Sequence, residues 1–217
     1  MRCSDRRFVA LGAFVIAANA VAPTLSAHPE PRGIWALDGG TLYHQVHPLS
    51  RGAVSPDGRS SVRATSDGLV FQRGAARVNL ALQFTPGLAE VVWSPDMRLV
   101  AINASSGGAI GTWDTYVLDT RDGTAALPVR QLVEARLGED WACAGHEAVN
   151  LGTVGWERGG ALLIVAEAPM RPGCANGGAI LGLRVDLARR SVTRVLASAT
   201  LRQSWSALLG SRFRSLR

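Results

Sequence analysis

The fold of this chain is decided by a short pattern that occurs twice. The first copy is Ala53-Val54-Ser55-Pro56-Asp57-Gly58-Arg59, and the second is Val92-Trp93-Ser94-Pro95-Asp96-Met97-Arg98. The serine of the second copy, Ser94, lies 39 residues after Ser55. Proline presets one dihedral angle of a turn and glycine accepts a positive φ, so Ser-Pro-Asp-Gly favours a tight reversal of the chain. Apolar stretches at residues 61–64 and 99–102 follow the two copies. Each copy therefore predicts a β-hairpin, although Met97 stands where the first copy has Gly58.

A third, degraded copy begins at Val154-Gly155-Trp156-Glu157-Arg158-Gly159-Gly160, and Tyr116-Val117-Leu118-Asp119 lies downstream of the second. These stretches resemble the WD40-like β-propeller repeats of the TolB type. In that family a Trp-Ser-Pro-Asp-Gly turn precedes a hydrophobic strand and then a strand that carries an aromatic residue and ends in Asp. The resemblance covers roughly half of the chain after residue 27 and implies blade-like antiparallel hairpins.

Short apolar runs with turn residues between them continue through the chain, which is typical of an antiparallel β protein. The predicted strands include residues 34–37, 69–72, 77–83, 90–93, 99–103, 115–118, 161–166, 179–185 and 191–196. Helical spacing is seen only at Leu127–Leu137 and at residues 199–212. We therefore expect a mainly β fold with antiparallel hairpins of β-propeller-like type and a short C-terminal helix.

The length leaves the closure of such a propeller open. Propellers have about 4–8 blades, and repeats of about 40–45 residues would fit barely four of them here. The alternatives are a small or incomplete propeller, an oligomer that completes one, or another β-sheet fold that uses the same hairpins.

The first 27 residues predict a secretory signal peptide. Arg2, Arg6 and Arg7 precede an almost wholly apolar run from Phe8 to Ala22, and small residues at 26–27 suit cleavage. The alternative is a retained membrane anchor, but the apolar run is shorter than the roughly 20 residues that a spanning helix needs. We expect cleavage, a periplasmic or secreted protein that is not integral to the membrane, and a β-rich domain over residues 28–197.

Charge is concentrated at the C-terminal end. Residues 28–183 carry 12 Arg and 15 acidic residues, whereas residues 184–217 carry 8 Arg and one acidic residue. A basic amphipathic tail over residues 198–217 indicates an anionic envelope component or an unknown protein as partner, and no nucleic acid is expected. The alternative is a solvated end that aids solubility. The candidate contacts are Arg202, Arg212, Arg214 and Arg217.

Two cysteines remain after the predicted cleavage, Cys143 and Cys174. In an oxidising compartment an even pair predicts a disulfide. Two cysteines alone do not make a zinc site.

No catalytic constellation is evident. His44 and His47 lie in a predicted strand or loop, where their side chains would point to opposite faces, and His146 near Cys143 and Glu147 is expected to be an exposed residue. We therefore expect no metal, no cofactor and no catalytic residue. The sequence favours an exported, non-enzymatic binding or scaffold module. The alternative is an exported hydrolase whose active site is assembled from separate loops.

Overall fold

The computed structural model describes the greater part of the chain after residue 32. The described residues are 33–42, 54–65, 68–80, 82, 84–85, 88–107, 112–127, 129–138, 141, 148–170 and 174–216. Within them the protein is mainly β, with antiparallel sheets and two short α-helices, one of which is C-terminal. The predictions of a mainly β class, of antiparallel hairpins and of a C-terminal helix are confirmed.

The elements follow the chain in a simple order. The strands are β1 (Gly40–Thr41), β2 (Ser60–Thr65), β3 (Gly68–Arg73), β4 (Ala76–Leu80), β5 (Ala89–Trp93), β6 (Leu99–Ser105), β7 (Trp113–Asp119), β8 (Ala125–Leu127), β9 (Asn150–Trp156), β10 (Leu162–Glu167), β11 (Ile180–Asp186) and β12 (Ser191–Ala197). The helices are α1 (Val129–Leu137) and α2 (Ser198–Trp205), and 3₁₀ turns cover Ser206–Leu208 and Ser211–Leu216.

Three sheets contain these strands, and all strand pairs are antiparallel. Neighbouring strands follow one another in chain order, except that β1 pairs with β5. The first sheet is β2-β3-β4, the second is β1-β5-β6-β7-β8, and the third is β12-β11-β10-β9. The first sheet is preceded by Val54, which bridges to Ser61 across the Ser-Pro-Asp-Gly turn. Each repeat copy therefore makes the turn between one strand and the next of the same sheet. Among the described residues the three sheets do not close into a ring.

The two Ser-Pro-Asp turns have the same hydrogen bonds, as the repeat predicts. Ser55 Oγ donates to Asp57 Oδ1 (2.6 Å) and accepts from the Ser60 N–H (2.9 Å). Ser94 Oγ donates to Asp96 Oδ1 (2.7 Å) and accepts from the Leu99 N–H (3.0 Å). The serine and aspartate side chains thus satisfy the turn's backbone donors, which explains why these residue types recur.

Met97 takes the turn conformation that Gly58 takes in the first copy. Its φ is +57°, against +72° for Gly58, and both N–H groups donate to the carbonyl of the turn's serine. The second turn therefore forms without glycine, and it places a side chain in the left-handed region that disfavours one.

Apolar layers separate the sheets and explain the stacking. The first sheet packs on one face of the second through a cluster that includes Val62, Phe71, Val100 and Ile102. The other face of the second sheet meets the third sheet and α1 through a cluster that includes Ala101, Val117, Val133, Leu151, Ile164 and Leu183. The third cluster covers the far face of the third sheet with Trp35, Leu163, Val165, Leu201, Trp205, Leu209 and Phe213.

The C-terminal segment, predicted as a tail, packs into this third cluster. Leu201 and Leu209 are fully buried and Phe213 is 3% exposed. Burial of these side chains against the third sheet supplies the hydrophobic stabilisation that a free basic tail would lack. Up to Phe213, residues 198–217 are therefore part of the folded body.

Residues 34–37, predicted as a strand, form bends and a single bridge between Ala36 and Leu209. The Leu37 N–H donates to the Leu208 carbonyl (2.7 Å), and the Gly210 N–H donates to the Trp35 carbonyl (2.7 Å). The N-terminal and C-terminal segments thus hold each other. Their backbone partners lie far along the chain, so local apolar content could not indicate this geometry.

Helix α1 confirms the helical spacing of Leu127–Leu137, with Val129 and Val133 buried. In the part of the chain that the structure describes, neither helix is long and apolar enough to cross a membrane. The predicted signal peptide, residues 1–27, lies outside the described residues.

Candidate functional site

The arginines predicted to contact an anionic partner have different environments. Arg202 is exposed on α2. Arg212 donates from Nε to Glu167 Oε2 (2.8 Å), and its guanidinium carbon lies 4.9 Å from the centroid of the Trp35 ring. The side chain of Arg214 and all of Arg217 lie outside what the structure describes. Of the two described side chains, Arg212 is therefore already paired and Arg202 is exposed.

His44, His47, His146 and Cys143 also lie outside the described residues. The Cys143–Cys174 bridge therefore stays a prediction, with Cys174 in the turn that precedes β11. Among the residues that are described, no group of three His, Cys, Asp or Glu side chains is placed to hold a metal ion.

An arginine-lined cleft opens on the first sheet, at the end where β2 begins and β3 ends. We call it the arginine cleft. It encloses about 580 Å³. Its lining consists of Val54, Gly58, Arg59, Ser60, Ser61, Arg63, Gln72, Arg73 and Gly74. The cleft has the volume of a typical small-ligand site, which spans about 300–1,000 Å³.

Strand pairing brings these arginines together from separate parts of the sequence. Arg59 ends the Ser-Pro-Asp-Gly turn, and Arg63 follows on β2 with an exposed side chain. Arg73 ends β3, where antiparallel pairing sets it opposite Ser60. The hairpin of the first repeat copy therefore gathers three arginine residues around one cleft. Arg63 lies on the face of the sheet that carries Gln72, and Arg73 lies on the face that packs toward the second sheet.

Arg73 is held in place from the second sheet. Its Nη1 donates to the Thr120 carbonyl (2.9 Å) and to Thr120 Oγ1 (3.0 Å). Thr120 Oγ1 in turn donates to the Met97 carbonyl (2.7 Å) in the second Ser-Pro-Asp turn. The Arg73 guanidinium is thus fixed against the second sheet, where it adds positive charge beside the cleft.

The electrostatic balance of the cleft is positive. Among the described side chains, Arg59 and Arg63 form no ion pair. The nearby carboxylate, Asp57, has its pKa held below the usual value by the Ser55 hydroxyl, by the Arg59 N–H and by the charges of Arg59 and Arg73. The cleft lining therefore carries three arginines, and the carboxylate beside Arg59 and Arg73 is ionised and already hydrogen-bonded within its turn.

A second polar feature lies buried between the second and third sheets. Along β5, β6 and β7 one face alternates between apolar and polar side chains, and the polar ones are Glu90, Asn103 and Thr115. Thr153 of β9 completes the group, with its Oγ1 2.8 Å from Thr115 Oγ1. We call these four residues the buried polar network.

Glu90 is fully buried and anchors the N-terminal segment. Its carboxylate accepts hydrogen bonds from the N–H groups of Ile34, Trp35 and Ala36 and from Asn103 Nδ2 (2.7 Å). Burial raises its pKa to about 7 against the lowering effect of these four donors. Among the described residues its hydrogen-bond partners are backbone N–H groups and Asn103, so the group stabilises the fold.

The sequence did not single out either feature. Glu90 begins an apolar run and gives no signal of its own. The cleft arginines are spread over 15 positions, so the denser arginines at the C-terminal end were predicted as the contact residues instead. The signal that could have found the cleft is the hairpin itself, since pairing Ser60 with Arg73 brings Arg73 to the end of the sheet where Arg59 lies.

Comparison with known proteins adds no assignment to this geometry. No protein-family model, no curated protein and no solved structure matches the chain.

Proposed function

We propose that the protein is an exported, non-enzymatic binding module and that the arginine cleft is its contact surface. The observation that carries the proposal is the set of three arginines gathered at one open cleft of about 580 Å³. Buried arginines that stabilise a fold are paired, as Arg130 is with Asp114 and Glu134. Arginines kept exposed and without an acidic partner among the described residues favour an anionic partner instead.

The stacking of the sheets supports the same proposal. Both faces of the third sheet and both faces of the second contribute to apolar clusters. The first sheet contributes one face only, with Val62, Ala64, Leu69 and Phe71. Its opposite face carries Arg63, Gln72, Arg77 and Asn79 and contributes to no apolar cluster of the described residues. This face is the polar end of the stack, where a repeat array meets solvent and partners.

We further propose that the three sheets are blades of a small, incomplete β-propeller-like array. Apart from β1, which pairs with β5, the strands of each sheet follow one another in chain order, and a repeat copy forms the first turn of each run. At one end of the stack the C-terminal segment covers the third sheet, where a further blade would otherwise pack. The polar face of the first sheet is the other end.

A crosslinked pull-down from the cell envelope tests the function. The mature chain, residues 28–217, is compared with Arg59→Ala/Arg63→Ala and with Arg202→Ala as the matched control on α2. We expect one dominant partner that the wild type and the control capture and the double variant loses. Equal capture by the double variant, or loss only in Arg202→Ala, would overturn the assignment of the contact surface.

A further inference from the structure

We propose that the arginine cleft recognises a phosphate monoester group. The inference rests on the proposed function, because it names the ligand class for the same cleft. Three observations carry it: the charge of the lining, the state of each guanidinium group, and the shape of the rim.

The charge of the lining matches a dianion. Arg59, Arg63 and Arg73 supply three positive charges, and Asp57, whose charge acts on Arg59 and Arg73, supplies one negative charge. A phosphate monoester carries about −1.5 to −2 at pH 7, whereas a carboxylate or a sulfate ester carries a single charge. A ligand with two charges therefore neutralises the cleft, and a ligand with one leaves it positive.

Two of the guanidinium groups are open to bind in the way that phosphate requires. The third, on Arg73, is held at Thr120 and contributes its positive charge. Arg59 and Arg63 take part in no described side-chain hydrogen bond or ion pair. A planar guanidinium fork can donate two parallel hydrogen bonds to two oxygens of one phosphate, and such charge-assisted bonds are roughly twice as strong as neutral ones.

The rim of the cleft is shaped by two glycines in left-handed turns. Gly58 has φ +72° and Gly74 has φ +55°. A Cβ added at either position would meet no atom within 4 Å, so both turns border open space. Together with the volume of about 580 Å³, the open rim leaves room for an organic substituent on the phosphate. Such a substituent could belong to a lipid head group or to a soluble compound.

Calorimetric titration of the full mature chain with inorganic phosphate tests the proposal, with methyl sulfate, a singly charged sulfate ester, at equal ionic strength as the competing anion. Vesicles of phosphatidylcholine with and without phosphatidic acid form the second arm. The variants are Arg59→Ala/Arg63→Ala and, as a control with an exposed arginine on β12, Arg194→Ala. Thermal unfolding of each variant verifies that the fold is retained.

We expect saturable phosphate binding that exceeds methyl sulfate binding and that is retained in Arg194→Ala. It should weaken about a hundredfold or more in the double variant, because charge-assisted hydrogen bonds are lost. Added binding to phosphatidic acid vesicles would assign the phosphate to a lipid head group, and binding of free phosphate alone would assign it to a soluble compound. Both outcomes support the proposal.

Absence of saturable phosphate binding, equal binding of methyl sulfate, or unchanged binding by the double variant would each overturn it. The failure is distinguishable from failure of the proposed function. If the double variant loses its envelope partner while the wild type ignores phosphate, the cleft stays the contact surface and only the ligand class is wrong.

Discussion

Asn103 and Thr153 join the second and third sheets by a pair of reciprocal hydrogen bonds. Asn103 Nδ2 donates to the Thr153 carbonyl (2.8 Å), and the Thr153 N–H donates to Asn103 Oδ1 (2.7 Å). The side-chain amide thus takes the place of a neighbouring strand for β9. Because Asn103 Nδ2 also donates to Glu90, one buried residue connects both sheets and the N-terminal segment.

Replacing Asn103 with Ala should destabilise the protein strongly. The change leaves the Thr153 N–H and carbonyl without their buried partner, and each such group costs about 1–3 kcal/mol. We expect the free energy of unfolding to fall by about 3 kcal/mol or more in urea denaturation. Asn79→Ala, on the exposed edge strand β4, is the control and should change it by less than about 0.5 kcal/mol. Similar losses in both variants would contradict the role of the amide.

Glu90 should make stability depend on pH. Its pKa in the folded protein is about 7, above the 4.5 of an unperturbed glutamate. The folded state therefore binds more protons than the unfolded state between these values. The contribution is fully present below about pH 4.5 and is lost as the pH rises through 7. Asp57, Asp96, Asp119, Asp122 and Asp186, whose pKa values are lowered, act in the opposite direction at more acidic pH.

We therefore expect the free energy of unfolding to fall between pH 5 and pH 8 by an amount on the order of 3 kcal/mol that Glu90→Gln abolishes. The amide should also lower stability at pH 5, because its NH₂ group faces a backbone N–H where the carboxyl oxygen accepted. Denaturation curves at several pH values measure both effects. A variant with the wild-type pH profile would show that Glu90 does not titrate in this range.

Exchanging the left-handed residues of the two Ser-Pro-Asp turns, Gly58 and Met97, should change the stability of the protein in opposite directions. Gly58→Met introduces a side chain at φ +72°, which costs about 1–2 kcal/mol. Met97→Gly removes that cost at φ +57°, although glycine increases the entropy of the unfolded chain. We expect a loss of about 1 kcal/mol for the first and a gain of about 0.5 kcal/mol for the second in thermal unfolding. Shifts of the same sign would contradict the equivalence of the turns.

Helix α2 carries a buried residue on which the fold depends, Trp205, and an exposed charged residue, Arg202. Trp205 is 7% exposed and belongs to the third apolar cluster, whereas Arg202 is exposed. Trp205→Ala should lower the free energy of unfolding by about 3–5 kcal/mol, and Arg202→Ala should change it by less than about 0.5 kcal/mol. A Trp205→Ala variant as stable as Arg202→Ala would show that the segment is not needed by the fold.

The sequence allowed the local structure to be predicted wherever residue type alone determines it. The Ser-Pro-Asp turns were predictable because Ser55 and Ser94 cap their own turns, and α1 was predictable from helical spacing. The packing of the C-terminal segment on residues 33–37 was not, because its hydrogen bonds join positions about 170 residues apart. Glu90 gave no signal, because its role depends on backbone groups of the N-terminal segment and not on its neighbours in β5.

The central claim, that the arginine cleft is the contact surface, is tested most directly by a photo-crosslinking residue at Val54, which lines the cleft and is 53% exposed. The matched position is Met170, an 85% exposed apolar residue outside the cleft lining. The account predicts one crosslinked partner from position 54 that disappears in the Arg59→Ala/Arg63→Ala background, and none from position 170. A partner captured only from position 170, or captured from position 54 regardless of the two arginines, would contradict it.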